Sequence, residues 1–151
     1  MTKKTEPAET YKNPFDLFEV DNQLETDGIV IDYGAFWFRI GRIDKAGTPF
    51  ARFMTEKLRP YTRAIQLGEM DGKVVENLTR EGFAKYLTYA WGSKQHGDNV
   101  MSGKKGEAIE FNVENIEQLY KDLPALFEDL VGQSKTFSNF RKAQQELDAG
   151  N

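Results

Sequence analysis

The chain has no cysteine and a single histidine, His96, among its 151 residues. Without thiols, disulfide frameworks, thiolate metal sites and cysteine nucleophiles are excluded, and a reducing compartment fits. Zinc needs three or four well-placed donors, whereas His96 and nearby Asp98 supply two. There is no Gly-x-Ser-x-Gly turn, and the sequence suggests no base paired with a nucleophile. Carboxylate pairs such as Glu128-Asp129 and Glu114/Glu117 fall in helical, solvent-facing contexts. No catalytic residue, no cofactor and no metal site is expected, and the chain reads as a non-enzyme. Long apolar runs are missing too. MTKKTEPAETYKNP lacks the core of a signal peptide, and no segment is long enough to span a bilayer, so a cytosolic protein with no membrane partner is expected.

What is present is a foldable composition. Hydrophobic residues make up 39% and aromatics 13%, against 29% charged, which argues for an ordered, soluble chain. A chain of this length suggests one domain and can bury about 68–70% of the surface its unfolded form exposes.

The net charge of -4 disfavours a protein that coats nucleic acid. Charge is nonetheless segregated. Asp16, Glu19, Asp21, Glu25, Asp27 and Asp32 form an acidic block, and a basic block follows from Arg39 to Arg63 with only Asp44 and Glu56 as acids. The blocks can pair with each other or lie on solvated faces. Alternatively Arg39, Arg42, Arg59 and Arg63 form a basic surface for an acidic protein partner; direct nucleic-acid binding has no module signature behind it.

Along the chain, residues 1–14 read as a flexible arm, and FDLFEV as a helical turn or a docking segment. DGIVIDYGAFWFRIGRIDKAG alternates as an antiparallel hairpin, about 28–44, with its turn at Tyr33-Gly34. Phe38 and Trp37 then lie on opposite faces, so either both faces are covered or one aromatic face is offered to a partner. Thr48-Pro49 opens a helix over about 49–67, which Pro60 divides and whose apolar stripe runs through Phe53, Leu58, Tyr61 and Ile65. A second helix is expected over 73–91, ending YAWG. AIEF, within 107–111, could be a third short strand on the hairpin's edge. Helices over 113–123, capped by Asn112, and 124–134, opened by Pro124, complete a single domain of 15–137, with a mobile or weakly helical tail over 138–151. The fold class is α+β, mainly helical, with an N-terminal hairpin.

HGDNVMSGKKGE, from His96 to Glu107, invites comparison with a phosphate-binding loop and fails it. Five residues rather than four separate Gly97 from Gly103, and Lys105 stands where a hydroxyl should follow the Gly-Lys pair. The segment is expected to be a mobile connector between two helices.

The order of these elements carries a resemblance. Trp91-Gly92 closing a helix, a glycine-rich link, Phe111-Asn112-Val113-Glu114-Asn115 and then Leu123-Pro124-Ala125-Leu126-Phe127 resemble the tail assembly chaperones of long-tailed bacteriophages, over roughly Leu24 to Phe140. That resemblance implies a non-enzymatic protein of the host cytoplasm, absent from the mature virion. It would bind the long tape measure protein, keep it soluble, help recruit tail-tube protein and then be released. Self-association in several copies is expected, with nucleic acid an improbable partner. The contact residues expected for such work are Phe127, Phe137, Phe140 and Arg141, with core packing the alternative for Phe127, Phe137 and Phe140 alike. A small adaptor or regulator using the basic hairpin–helix surface is the competing function.

Overall fold

Side-chain caps start the first helices. In the computed structural model, which describes residues 12–141 (backbone only at 137 and 138), Asn13 accepts from the Asp16 amide at the head of α1 (Pro14–Phe18). Asp21 does the same for the Gln23 and Leu24 amides at α2 (Asn22–Asp27). The arm before residue 12, the tail beyond 141 and the side chain of Phe137 lie outside the described residues.

The hairpin forms as its alternation requires. β1 (Ile29–Asp32) pairs antiparallel with β2 (Phe36–Ile40), with Ile31 opposite Phe38 and Asp32 opposite Trp37. Gly34 takes φ 94°, which only glycine adopts readily, and its amide donates to the Asp32 carboxylate at 2.8 Å. α3 (Pro49–Leu58) begins at Thr48, whose hydroxyl accepts from the Ala51 amide at 3.1 Å. Pro60 divides the helix as expected: a 3-10 turn over Arg59–Tyr61 leads into the short α4 (Thr62–Gln66).

The helix expected over 73–91 is shorter. α5 (Gly72–Gly82) widens into a π-helical turn over Phe83–Leu87, and Thr88–Ser93 is then β3, a strand. Trp91-Gly92 therefore sits inside the sheet, opposite Phe38 and Trp37 respectively, and does not close a helix. The physical reason lies in the segment's composition: YLTYAWG is apolar at nearly every position and so satisfies both periods. Its β-branched and aromatic residues favour the pleated option once β2 is there to pair with. Gly92 is required by close approach, because a Cβ there would stand 2.3 Å from the Trp37 ring that lies over it.

The segment from His96 to Glu107 is not a loose connector. β4 (Gly97–Asp98) extends the first sheet, giving the order β1-β2-β3-β4. β5 (Val100–Ser102) and β6 (Ala108–Glu110) form a two-stranded antiparallel sheet with Met101 opposite Ile109. The third strand expected at 107–111 exists, but it pairs with β5 and not with the hairpin's edge. The turn is closed by Gly103, whose amide donates to the Glu107 carbonyl at 2.7 Å. Ser93 Oγ donates to the Val100 carbonyl at 2.7 Å and ties the two sheets together.

Two helices close the domain: α6 (Val113–Asp122), capped by Asn112, and α7 (Pro124–Lys135), close to their expected bounds. A 3-10 turn over Phe137–Phe140 follows, and Arg141 bridges Val20 in the link between α1 and α2. The core joins the inner face of the sheet to the helices. Phe38 meets Trp91 edge-on at 6.0 Å, and Phe83 meets Phe127 edge-on at 5.6 Å and Tyr120 at 6.0 Å. Such pairs add about 0.5–1.5 kcal/mol each beyond their buried area. Two polar side chains serve this interior. The Thr88 hydroxyl donates to the Phe83 carbonyl and stands 2.7 Å from the Tyr120 hydroxyl, bracing the switch from π turn to strand. Ser134 of α7 accepts from the Ile43 amide at 2.8 Å and donates to the Gly41 carbonyl at 2.6 Å, where the chain leaves β2. The domain is α+β, with a four-stranded antiparallel sheet.

Candidate interaction surface

The residues expected to contact a partner scatter when the chain folds. Phe127 and Phe140 are core residues, 8% and 0% exposed, so Phe140 is closed to a partner and Phe127 keeps only the edge that lines a cleft beside α5 and α6. Burial corrects the contact expectation and bears out the core-packing alternative for both, and the reason is periodicity. Phe127 falls on the inward face of α7 beside Leu130, and the turn after α7 swings Phe140 under the sheet. Arg141 is half-buried within the bridge to Val20.

The arginines divide as well. Arg42 is held between two acids, with Nη1 2.8 Å from Glu25 and Nε 2.7 Å from Asp44, and Lys45 adds a second cation 2.7 Å from Glu25. Burial raises the Glu25 carboxyl pKa, but Lys45 and Arg42 outweigh that and hold it below its ordinary 4.5. Here the acidic and basic blocks pair with each other. Arg59 makes a two-pronged contact with Glu56, both bonds 3.1 Å, on an exposed surface where such a pair contributes about 0–1 kcal/mol. Arg39, on the outer face of the sheet, and Arg63, on α4, are exposed and make no ion pair among the described residues.

Besides Phe15 and Phe18 of α1, 73% and 56% exposed, two apolar surfaces are open. The first is the segment from Arg59 to Leu67, where Tyr61, Ile65 and Leu67 are 39%, 47% and 58% exposed beside Arg59 and Arg63. Pro60 redirects the chain, so α4 leaves the line along which Phe50 and Phe53 of α3 reach the core. Between α3 and α4 lies a groove of about 300 Å³, lined by Thr55, Leu58, Thr62 and Ile65 among others. Helical spacing put Tyr61 and Ile65 on one apolar stripe with Phe53 and Leu58, and the break at Pro60 takes them out of its buried part. The second surface is the outer face of the sheet, where Val30 is 61% exposed next to Trp37, Arg39 and Ala90.

Chemistry-bearing groups do not converge. Among the described residues no three His, Asp or Glu side chains gather as a metal could use them. His96 is half-buried, its amide donating to Ser93 Oγ and its ring 3.0 Å from the Gly106 carbonyl, so it fastens the turn between β5 and β6. Burial and the Asp129 carboxylate it donates to raise Tyr33 far above its ordinary pKa, so it stays a neutral donor joining the hairpin to α7. No helix of the described residues is long and apolar enough to cross a membrane.

Comparison with known families then supplies an origin. The model of a family described as YdaY prophage protein matches residues 43–151. More than half of the chain is matched, and the chain belongs to that family: it is a phage-derived protein. The match starts after β2, so β1 and β2 lie outside it. No curated protein and no solved structure matches the chain.

Proposed function

We propose that this YdaY-family prophage protein is a tail assembly chaperone. It binds the tape measure protein in the host cytoplasm, keeps it soluble, helps recruit tail-tube subunits and leaves before the tail is complete. The observation that carries this reading is the exposed segment from Arg59 to Leu67, which sets Tyr61, Ile65 and Leu67 beside Arg59 and Arg63. A protein that holds an aggregation-prone helical client needs apolar area to cover it and cations to meet its acidic positions. It also needs a patch small enough to let go. The phage origin supports the setting. The adaptor alternative, built on a basic hairpin–helix surface, is weakened because Arg42 and Arg59 already face carboxylates.

Co-expression with the tape measure protein of the same prophage tests the proposal. The tape measure protein alone should pellet, and with this chain it should stay in the supernatant and co-purify. The Ile65→Asp/Leu67→Asp variant should fold and lose that effect. A tape measure protein whose solubility is indifferent to the wild-type chain would sink the proposal. Mass spectrometry of purified particles should find the chain absent.

A further inference from the structure

A cleft between α5, α6 and α7 stands apart from the exposed segment just described. Lys73, Asn77 and Arg80 line it from α5, Lys121 lines it from α6, and Pro124 and the edge of Phe127 supply apolar surface within a volume of about 330 Å³. The spacing 73, 77, 80 puts the three α5 residues on one helix face.

Arg80 is the unusual member. Its side chain is only 13% exposed, and its nearest carboxylate, Glu76, stands 3.9 Å away and is itself mostly in solvent. Nη2 donates to the neutral Asn77 oxygen at 2.5 Å, while Nε is buried with no hydrogen-bond partner among the described residues. Nε is closed to solvent, but Nη1, with only Glu76 at 3.9 Å, is not, and a carboxylate is the acceptor that suits an open guanidinium nitrogen. Lys73 and Lys121 line the same space without an ion pair among the described residues. Against these three cations stand two carboxylates, Glu76 and Glu128, leaving a single positive excess.

We infer that this cleft binds an organic monocarboxylate with an apolar stem. The carboxylate meets Arg80 and Lys121, and the stem lies against Pro124 and the edge of Phe127. A single negative charge balances the local excess, whereas the second charge of a phosphate dianion would face Glu76 and Glu128. A volume of this size sits at the small end of ligand pockets and suits a short acid or one acidic side chain.

The test follows the Arg80 Nε–H resonance of the full chain by NMR during titration with hexanoate. A saturable shift is expected, with hexanol and inorganic phosphate at least about tenfold weaker. Arg80→Gln should abolish it. Lys121→Gln alters an exposed side chain, keeps the fold, and should weaken hexanoate binding several-fold even if the Arg80 variant fails to fold. No saturable shift, an equal response to phosphate, or a Lys121→Gln protein indistinguishable from wild type would overturn the inference. A short peptide with one glutamate between leucines distinguishes the sources. Binding about tenfold tighter than hexanoate assigns the carboxylate to a protein partner, and equal binding assigns it to a free acid. Either result leaves tape measure binding at Ile65 and Leu67 to be judged by its own assay.

Discussion

The segments 59–67 and 127–141 look alike on paper: each sets large apolar side chains close to basic residues. Folded, they lie on opposite sides of the surface. Phe127 and Phe140 are enclosed between the sheet and the helices, while Tyr61, Ile65 and Leu67 face solvent. Neither hydrophobicity nor neighbouring charge separates them. What separates them is whether the backbone that carries them is anchored to the sheet. α7 is fastened through Ser134 to the exit of β2, and the turn after it is fastened through the Phe140 carbonyl, which accepts from the Asp21 amide. The 59–67 segment has only its own turn and the end of α3 to lean on, because Pro60 has taken it off the core. An apolar residue becomes a contact surface when its backbone lacks such an anchor.

The strongest way to break this comparison is on its buried side. Phe140→Ala should cost about 3–5 kcal/mol in chemical denaturation; a loss below about 1 kcal/mol would return Phe140 to the surface. Next comes the anchor. Ser134→Ala strands the Ile43 amide and the Gly41 carbonyl, and should cost about 1–3 kcal/mol, read as a lowered denaturant midpoint with an unchanged slope. On the exposed side, Ile65→Asp/Leu67→Asp should move stability by no more than about 0.5 kcal/mol per site. It should nonetheless weaken tape measure binding at least about tenfold, or about 1.4 kcal/mol. If the stability loss is instead large, α4 is a packed element and the contrast fails.

The smallest effect concerns pH. Glu25 has its folded pKa below its ordinary 4.5, so it contributes stability that is complete above that value and is lost as pH falls through the folded pKa. Glu25→Gln should therefore flatten the acid side of the stability profile below about pH 4.5, compared with wild type, in midpoints measured across that range. An unchanged acid limb would mean that Arg42 is as available to a partner as Arg63.

Features set by local chemistry were legible beforehand. Thr48 and Asn112 cap where a short oxygen-bearing side chain precedes an apolar helix, Pro60 divides, Tyr33-Gly34 turns, and Ile29 to Ile40 alternate. The strand β3 was not legible, because helix and strand both suit its apolar run and the decision belongs to β2, far away in sequence. The β5–β6 hairpin left a faint signal that the phosphate-loop comparison obscured. Met101 and Ile109 sit symmetrically about a turn of glycines and lysines, as a hairpin's inward pair should. Exposure was read least well. A stripe at helical spacing looks the same whether a proline carries it off the body or a serine pins it down.

The sequence by itself determined the α+β class, the starts of α3, α6 and α7, the hairpin and the absence of thiol chemistry, all of which follow from residues and their immediate neighbours. Tertiary structure alone decided which aromatics are core, which arginines are already paired, and that Arg80 lies buried without an acceptor for its Nε. Burial and ion pairing are properties of residues brought together from distant parts of the chain, and no window of sequence contains both partners.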